Sequence, residues 1–438
     1  MEAGWATAAT GITIADESSS VLQAGELVSV ALRLNARRLH LLVSSVLGKH
    51  IPTHPEVVYG AGLHLGDLVG RALGTRTTSH GSPVVLGYAE TATALGASVA
   101  DVLEADYIHT TRRPVAGVHA LAEFFEEHSH AARHLLLPED PEILAGPGPL
   151  ILADDELSTG QTALNTINVL HGLSARRRYL IACLVDVRSA ADRARMAGFA
   201  AERGIELEIV ALATASVHIP PDATPRARKL IEAREAERSS ARYLARDAGM
   251  RRCPVRWPSG VPDGGRHGVV HAQRLAAGRA AQECARDLAN LGLGERVLVL
   301  ATEELMYFPL LLARRLAEIS KSDAGGRTVL FSSTTRSPVL DIDEAGYPVR
   351  TRLAFVAHDR PADGEGRRFA YNVAPGLNGA AFSDAVVVVD DTGDTAELVG
   401  AGGLVDALSE IGVRVVLVCV PSYRPAAATV PEAGAADR

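Results

Sequence analysis

Short β-branched or apolar runs alternate with Ala-, Leu- and Arg-rich segments of helical character twice along the chain, over about residues 38–212 and again over about 295–420. Parallel strands must be joined by connections long enough to return to the same end of the sheet, and this alternation is the sequence form of that requirement. The expected fold class is therefore α/β, with a mainly parallel sheet flanked by helices in each block. A chain of 438 residues, 47% hydrophobic and 22% charged, is long enough for two or three cores and too apolar to remain disordered. Between the blocks, residues 222–252 are charged and helical in pattern, and WPSGVPDGGRHG reads as loop. The expected division is a first domain at 1–220, a charged helical linker at 221–255, a second domain at 256–424 and a disordered tail at 425–438.

Composition narrows the function. A formal charge of −8 gives no general affinity for a phosphate backbone, which argues against nucleic acid as the partner. No apolar run has the length of a membrane span, and the first residues lack the basic-then-apolar order of a secretion signal, so no membrane partner and a cytoplasmic location are expected. Cys183, Cys253, Cys284 and Cys419 lie far apart with no Cys-x-x-Cys pair and read as buried thiols in a reducing compartment.

Residues 150–162 read LILADDELSTGQT. Four apolar residues form a buried strand, Asp154 and Asp155 sit at its carboxyl end, and Ser158, Thr159, Gly160, Gln161 and Thr162 make a small polar turn that opens a helix. A helix N-terminus presents unpaired N–H groups and a positive dipole end to a phosphate, and a glycine lets the backbone approach closely. Adjacent carboxylates accept hydrogen bonds from ribose hydroxyls or hold Mg²⁺ through water. An ordinary strand end with a capped helix shares these features singly; the order of the surrounding elements decides between the two.

The segment resembles the 5-phosphoribosyl 1-diphosphate (PRPP) motif of type I phosphoribosyltransferases, departing from it at Glu156, where an apolar or small residue is usual. Further segments resemble the orotate-phosphoribosyltransferase branch. SPVVLGYAETATALGASVADVL at 82–103 is similar to its diphosphate-binding loop, which implies that Gly87, Tyr88, Ala89, Glu90 and Thr91 present backbone N–H groups to diphosphate. ADYIHTTRRPVAG at 105–117 is similar to the following strand and the root of a flexible catalytic loop, so that Arg112 and Arg113 would neutralise leaving diphosphate, although an Arg pair is more often a solvated surface. LLVSSVLGKHIPTHPEVV at 41–58 is similar to the hood segment, with Lys49, one of only three lysines, as a phosphate or acceptor contact or a solvent-facing loop residue. Asp186 and Arg188, beyond the next strand, either read a polar base edge or form a strand-end ion pair. In FFEEHSHAARH at 124–134 only His130 and His134 would share a face of a helix, so a metal site there competes with a loop that offers His128 or His130 as proton donor or diphosphate contact.

The second block repeats these elements in order. SSVLGKH at 44–50 is answered by SGVPDGGRH at 259–267, VVLGYAET at 84–91 by LVLATEEL at 298–305, YIHTTRRP at 107–114 by FSSTTRSP at 331–338, and LILADDELSTGQT by VVVVDDTGDT at 386–395. Arg266, Glu304, Thr335, Arg336, Asp390 and Asp391 are thereby the ligand candidates of the second domain. The phosphate turn there is shorter and carries Asp394, which would repel a phosphate. Thr335-Arg336-Ser337-Pro338 also resembles the signature of the TRSP domain, which follows an orotate-transferase-like domain in bacterial proteins of tellurite-resistance and stress gene clusters. The resemblance implies two tandem phosphoribosyltransferase-like domains, the second degenerate. It also implies Mg²⁺-dependent transfer of the phosphoribosyl group from PRPP to a small nitrogen acceptor, or the reverse, with Asp154 and Asp155 at the metal and a homodimer left open. The alternative is a PRPP- or nucleotide-binding sensor without turnover.

Overall fold

The computed structural model describes residues 4–18, 20–34, 39–74, 81–125, 133–237, 249–321, 326–359, 366–377 and 379–423. Two sheets organise the chain. The first has six strands in the spatial order Thr13–Asp16, Glu206–His218, Arg178–Asp186, Leu150–Leu157, Val84–Gly87 and Asp106–His109, all parallel except the Thr13–Asp16 edge. The second has five parallel strands in the order Met250–Cys253, Arg414–Val420, Asp384–Asp390, Arg296–Ala301 and Thr328–Ser333. The central strands are apolar on both faces because helices cover both sides of a parallel sheet, which is why LILA and AVVVV alternate with nothing polar.

Helices Pro55–Leu73 and Thr93–Val102 from the first half and His271–Ala289 and Tyr307–Lys321 from the second form a layer between the sheets. Close approach inside this layer depends on glycine. A Cβ on Gly62 would stand 2.4 Å from Ser98 Cβ and one on Gly66 2.8 Å from Val102 Cβ, so side chains there would force the first two helices apart.

One hydrophobic cluster runs through both halves, joining Leu65, Val69, Ile151 and Ala153 with Val339, Leu340, Tyr347 and Phe369. Backbone pairing also crosses: Tyr107 bridges Val269, and Phe331 bridges Thr53. The expected linker is not a separate element. Helix Ala223–Glu237 inserts Ala223 and Ala227 into the shared core, residues 238–248 lie outside the described residues, and Met250–Cys253 is the edge strand of the second sheet. The expected tail at 425–438 also lies outside the described residues.

Equivalent hydrogen bonds relate the two halves residue by residue. Thr110 N–H donates to Gly87 O at 3.0 Å and Thr334 N–H to Ala301 O at 2.9 Å. Ala89 N–H donates to Thr110 Oγ1 at 2.9 Å and Glu303 N–H to Thr334 Oγ1 at 3.2 Å. Arg113 N–H donates to Thr111 Oγ1 at 3.0 Å and Ser337 N–H to Thr335 Oγ1 at 3.2 Å. Ladder register then corrects one expected pairing. Val84 lies opposite Leu150 and Leu298 opposite Ala385, so Asp155 corresponds to Asp390, Asp154 to the buried Val389, and Glu156 to the exposed Asp391. The acidic pairs of the two halves are offset by one residue, and a one-residue offset moves a side chain to the other face of the sheet.

Candidate functional site

The carboxyl ends of the parallel strands carry the candidate residues, as open α/β sheets dictate. Strand Leu150–Leu157 extends past Asp154 and Asp155, which are half-buried, and Asp155 N–H donates to Asp154 Oδ1 at 2.9 Å. The alternation of a strand sends the two side chains to opposite faces. Among the described residues the Asp155 carboxylate has no hydrogen-bond or ion-pair partner, whereas its counterpart Asp390 is fully engaged. Asp390 Oδ1 accepts from Thr392 Oγ1 and from Gly393 N–H, both at 2.8 Å, and Asp390 Oδ2 lies 3.5 Å from Arg113 Nη1.

Gly160 caps helix Gln161–Leu173 with φ +76°, and a Cβ there would stand 2.5 Å from Met196 Sδ. Asp186 and Arg188 support this turn from below. They form the strand-end ion pair, with Arg188 Nε 2.8 Å from Asp186 Oδ1 and Nη2 2.7 Å from Oδ2, while Arg188 Nη1 lies 3.3 Å from Met196 Sδ. Arg195 Nη2 donates to Thr159 O at 2.6 Å. Ser158, Thr159, Gln161 and Thr162 follow in that turn; Gln161 Nε2 donates to Asn165 Oδ1 at 2.9 Å. The equivalent second-half turn is two residues shorter between carboxylate and glycine, and Asp394 there is tied to Arg252 at 2.6 Å.

The loop at 87–91 is turned toward the second half. Tyr88 is buried and donates its hydroxyl to Thr166 Oγ1 at 2.8 Å, and the Ala89–Glu90 peptide is cis. Lys49 Nζ donates to Thr91 Oγ1 at 2.9 Å and stands 3.4 Å from Glu90 Oε2, so this lysine is buried in the interface rather than facing solvent. Thr335 Oγ1 donates to Glu90 Oε2 at 3.2 Å, and Arg336 Nε lies 3.1 Å from Glu90 Oε1 and 2.7 Å from Glu303 Oε2. The second half mirrors this. Glu304 accepts from Thr111 Oγ1 at 2.7 Å and from Arg112 N–H at 2.8 Å, and Arg266 Nη2 lies 3.5 Å away.

Arg113 reaches furthest. Its Nη2 is 2.5 Å from Asp359 Oδ2 and 3.8 Å from Glu303 Oε2, so its guanidinium serves three carboxylates of the second half. Glu303 also receives Arg368 Nε at 2.6 Å. Burial opposes every one of these charges, yet the opposite charges outweigh it. Arg113 is raised above the usual arginine range by Glu303, Asp359 and Asp390, Glu303 and Asp390 are held below the carboxylate range, and Glu304 is brought down to about 2 by Arg266, Arg113 and His109. His109 is buried and moved down to about 4, chiefly by desolvation.

Of the histidine cluster, the structure describes His134. His134 lies in strand Arg133–Leu136 of a hairpin with Ala122–Phe125, stacks on Phe124 at 5.2 Å and shares a hydrogen bond of 2.9 Å with Thr110, while Glu126, Glu127, His128 and His130 lie outside the described residues. Among the described residues no group of three His, Cys, Asp or Glu side chains is arranged to hold a metal by itself. Sequence reasoning missed Glu303, Asp359 and Arg368. Glu303 follows the strand as the neighbour of Glu304 and was visible there; Asp359 and Arg368 join from a distant hairpin, for which no local pattern exists.

The strand order, phosphate-type turn and acidic strand end define a phosphoribosyltransferase-type domain. Comparison agrees: residues 27–216 match the model of the family described as phosphoribosyl transferase, and residues 263–408 match that of the TRSP domain found C-terminal to it. The chain joins a phosphoribosyltransferase to a TRSP domain. Solved structures that resemble it include adenine phosphoribosyltransferase from Rhodothermus marinus, at 16% identity over 44% of this chain and 99% of that one, TM-score 0.31. The enzyme from Giardia lamblia with 9-deazaadenine is 17% identical over 44% and 98%, TM-score 0.32. Orotate phosphoribosyltransferase from Aeropyrum pernix is 22% identical over 43% and 88%, TM-score 0.26. A comparison with curated proteins finds no match. No helix among the described residues is long and apolar enough to cross a membrane.

Proposed function

We propose that the first half transfers the 5-phosphoribosyl group of PRPP to a nitrogen of a small, nucleobase-like acceptor. The C1–oxygen bond to diphosphate breaks, a C1–nitrogen bond forms, and the acceptor nitrogen gives up its proton. The difference between Asp155 and Asp390 carries this reading. One strand-end carboxylate has no partner among the described residues beside a glycine-capped helix, and its counterpart is stapled into its own turn.

The turn at 158–162 binds the 5′-phosphate through helix N–H groups, with Gly160 allowing close approach. Asp154 and Asp155 lie at the ribose, where their charge stabilises the cationic ribosyl transition state. They are also the residues that would hold Mg²⁺, and the half-buried Asp155 carboxylate, without a partner among the described residues, fits a hydrated divalent ion. When bound, that ion neutralises diphosphate charge. The loop at 87–91 and Lys49 receive the diphosphate, and Asp186 with Arg188 holds Met196 under the phosphate turn. The second half is read as a degenerate copy of the first, supported by the matching hydrogen bonds and strand order.

The test is incubation of the full chain with PRPP, Mg²⁺ and a panel of nucleobases, following diphosphate release and product mass. Turnover should appear with one acceptor class and fall on the order of a hundredfold in Asp155→Asn, the equivalent of about 3 kcal/mol of transition-state stabilisation. Tight PRPP binding with no turnover on any acceptor would instead favour the sensor.

A further inference from the structure

We infer that the diphosphate of PRPP is bound by a clamp spanning both halves, in which Arg336 of the TRSP domain and Lys49 are the cations and Glu90 is the anion that occupies their site until diphosphate displaces it. The inference rests on the functional reading above and assigns to the second half a direct part in the first half's site.

Two cations and a hydroxyl from two domains surround one carboxylate, and among the described residues the hydroxyl alone donates a hydrogen bond to it while the cations stand at ion-pair distance. Lys49 Nζ lies 3.4 Å from Glu90 Oε2, Thr335 Oγ1 3.2 Å from the same oxygen, and Arg336 Nε 3.1 Å from Oε1. An ammonium, a hydroxyl and a guanidinium around two oxygens of one anion is the donor set that also suits a phosphoryl group. The side chains are 9%, 5% and 10% exposed for Lys49, Glu90 and Arg336, so the donors are already desolvated and oriented. Their location also fits. Glu90 sits in the loop that follows strand Val84–Gly87, at the carboxyl end where ligands enter such sheets.

The two halves differ in what crosses between them. In the second half, Arg113 fills the space among Asp359, Asp390 and Glu303. The first half receives Ser337 at the equivalent position, a side chain too short to reach as Arg113 does. The carboxylate equivalent to Asp390 is therefore left for ligand and metal on the first side only. Diphosphate bears more negative charge than one carboxylate and draws Lys49 and Arg336 from Glu90 on binding. Arg336 Nε–H already donates to Glu303 Oε2 at 2.7 Å, and this bond holds the guanidinium in place during the exchange.

The experiment is titration calorimetry on the full chain with magnesium diphosphate as probe and ribose 5-phosphate as control, for wild type, Glu90→Gln, Arg336→Ala and Arg336→Lys, with thermal melts of each. Glu90→Gln should tighten diphosphate binding about fivefold or more, because the competing charge is gone while its shape remains. Arg336→Ala should weaken it about tenfold and Arg336→Lys should recover part of the loss, with ribose 5-phosphate affinity unchanged in all. Unchanged diphosphate affinity in Glu90→Gln and Arg336→Ala, with ribose 5-phosphate still bound, would overturn the clamp alone. A wild-type chain that binds neither probe would overturn the functional reading and the clamp with it.

Discussion

Replacing Arg113 by Met tests whether the two halves are one thermodynamic unit. The guanidinium is 12% exposed and faces Asp359 at 2.5 Å, Asp390 at 3.5 Å and Glu303 at 3.8 Å, with those carboxylates 9%, 3% and 0% exposed. Methionine keeps the unbranched apolar stem and removes the charge, leaving buried carboxylates of which Glu303 retains Arg336 and Arg368 while Asp359 loses its nearest cation. Breaking a buried ion pair from one side costs about 3–5 kcal/mol. Unfolding entropy of roughly 2.1 cal/mol/K per residue makes about 0.9 kcal/mol/K for a chain of 438 residues, so a single cooperative transition should move down by about 3–5 °C. Calorimetry on the wild type should give one transition because the hydrophobic cluster is shared. A double variant with Asp359→Asn should recover part of the loss, since it removes one of the stranded charges. A shift below 1 °C, or a wild-type scan that resolves two independent transitions, refutes the account of Arg113 as the bolt between the halves.

Gly160→Ala should leave the chain folded and weaken ribose 5-phosphate binding by about tenfold in calorimetry, because φ +76° and the contact with Met196 Sδ at 2.5 Å force the phosphate turn to shift. Stability should fall on acidification in two stages. His109, with a folded value of about 4 against 6.5, binds its proton more readily unfolded, so its contribution of about 3 kcal/mol is complete above pH 6.5 and lost as pH falls toward 4; Glu304, at about 2 against 4.5, adds a second loss between pH 4.5 and 2. Urea midpoints measured from pH 7 to 3 check this, and a flat profile between 6.5 and 4 contradicts it. Calorimetric titration with PRPP and Mg²⁺ should give a stoichiometry near one per chain, unchanged by Asp390→Asn; two equivalent sites would show that the second cradle is open.

What was legible in the sequence was what local patterns encode. Alternating apolar runs implied parallel sheets, and LILADDELSTGQT implied a strand end followed by a phosphate-type turn, which strand Leu150–Leu157 and the Gly160 cap reproduce. The repeat paired Lys49 with Arg266 and Glu90 with Glu304, and these pairs do occupy matching contacts. The acidic pairs of the two halves stand one residue out of register, which two adjacent Asp in each half conceal in the sequence, since only the ladder tells which of them shares a face. His130 and His134 share a face only in a helix, and His134 instead lies in a strand whose partner strand and Phe124 stack set its place. Arg112 and Arg113 drew attention as cations, but nothing local says that their turn crosses to another domain, since that depends on contacts nearly 200 residues or more away in sequence, at Glu304 and Asp390.

On the proposed clamp, the crossing turns also account for two unequal halves in one chain. In an isologous dimer of identical subunits, residue i of one meets residue j of the other and j meets i, so whatever crosses one way crosses the other. An arginine at the position of Arg113 would then enter both cradles, and a serine neither. Two unlike halves in one chain escape that constraint. Thr111 and Thr335 keep the same turn and the same carboxylate contact on both sides, at 2.7 Å to Glu304 and 3.2 Å to Glu90, while the residue two positions later is Arg113 on one side and Ser337 on the other. The arginine locks one cradle shut and joins the halves; the serine leaves the other cradle open. Stability and access, which a symmetric interface would set against each other at a single residue, are thereby assigned to two.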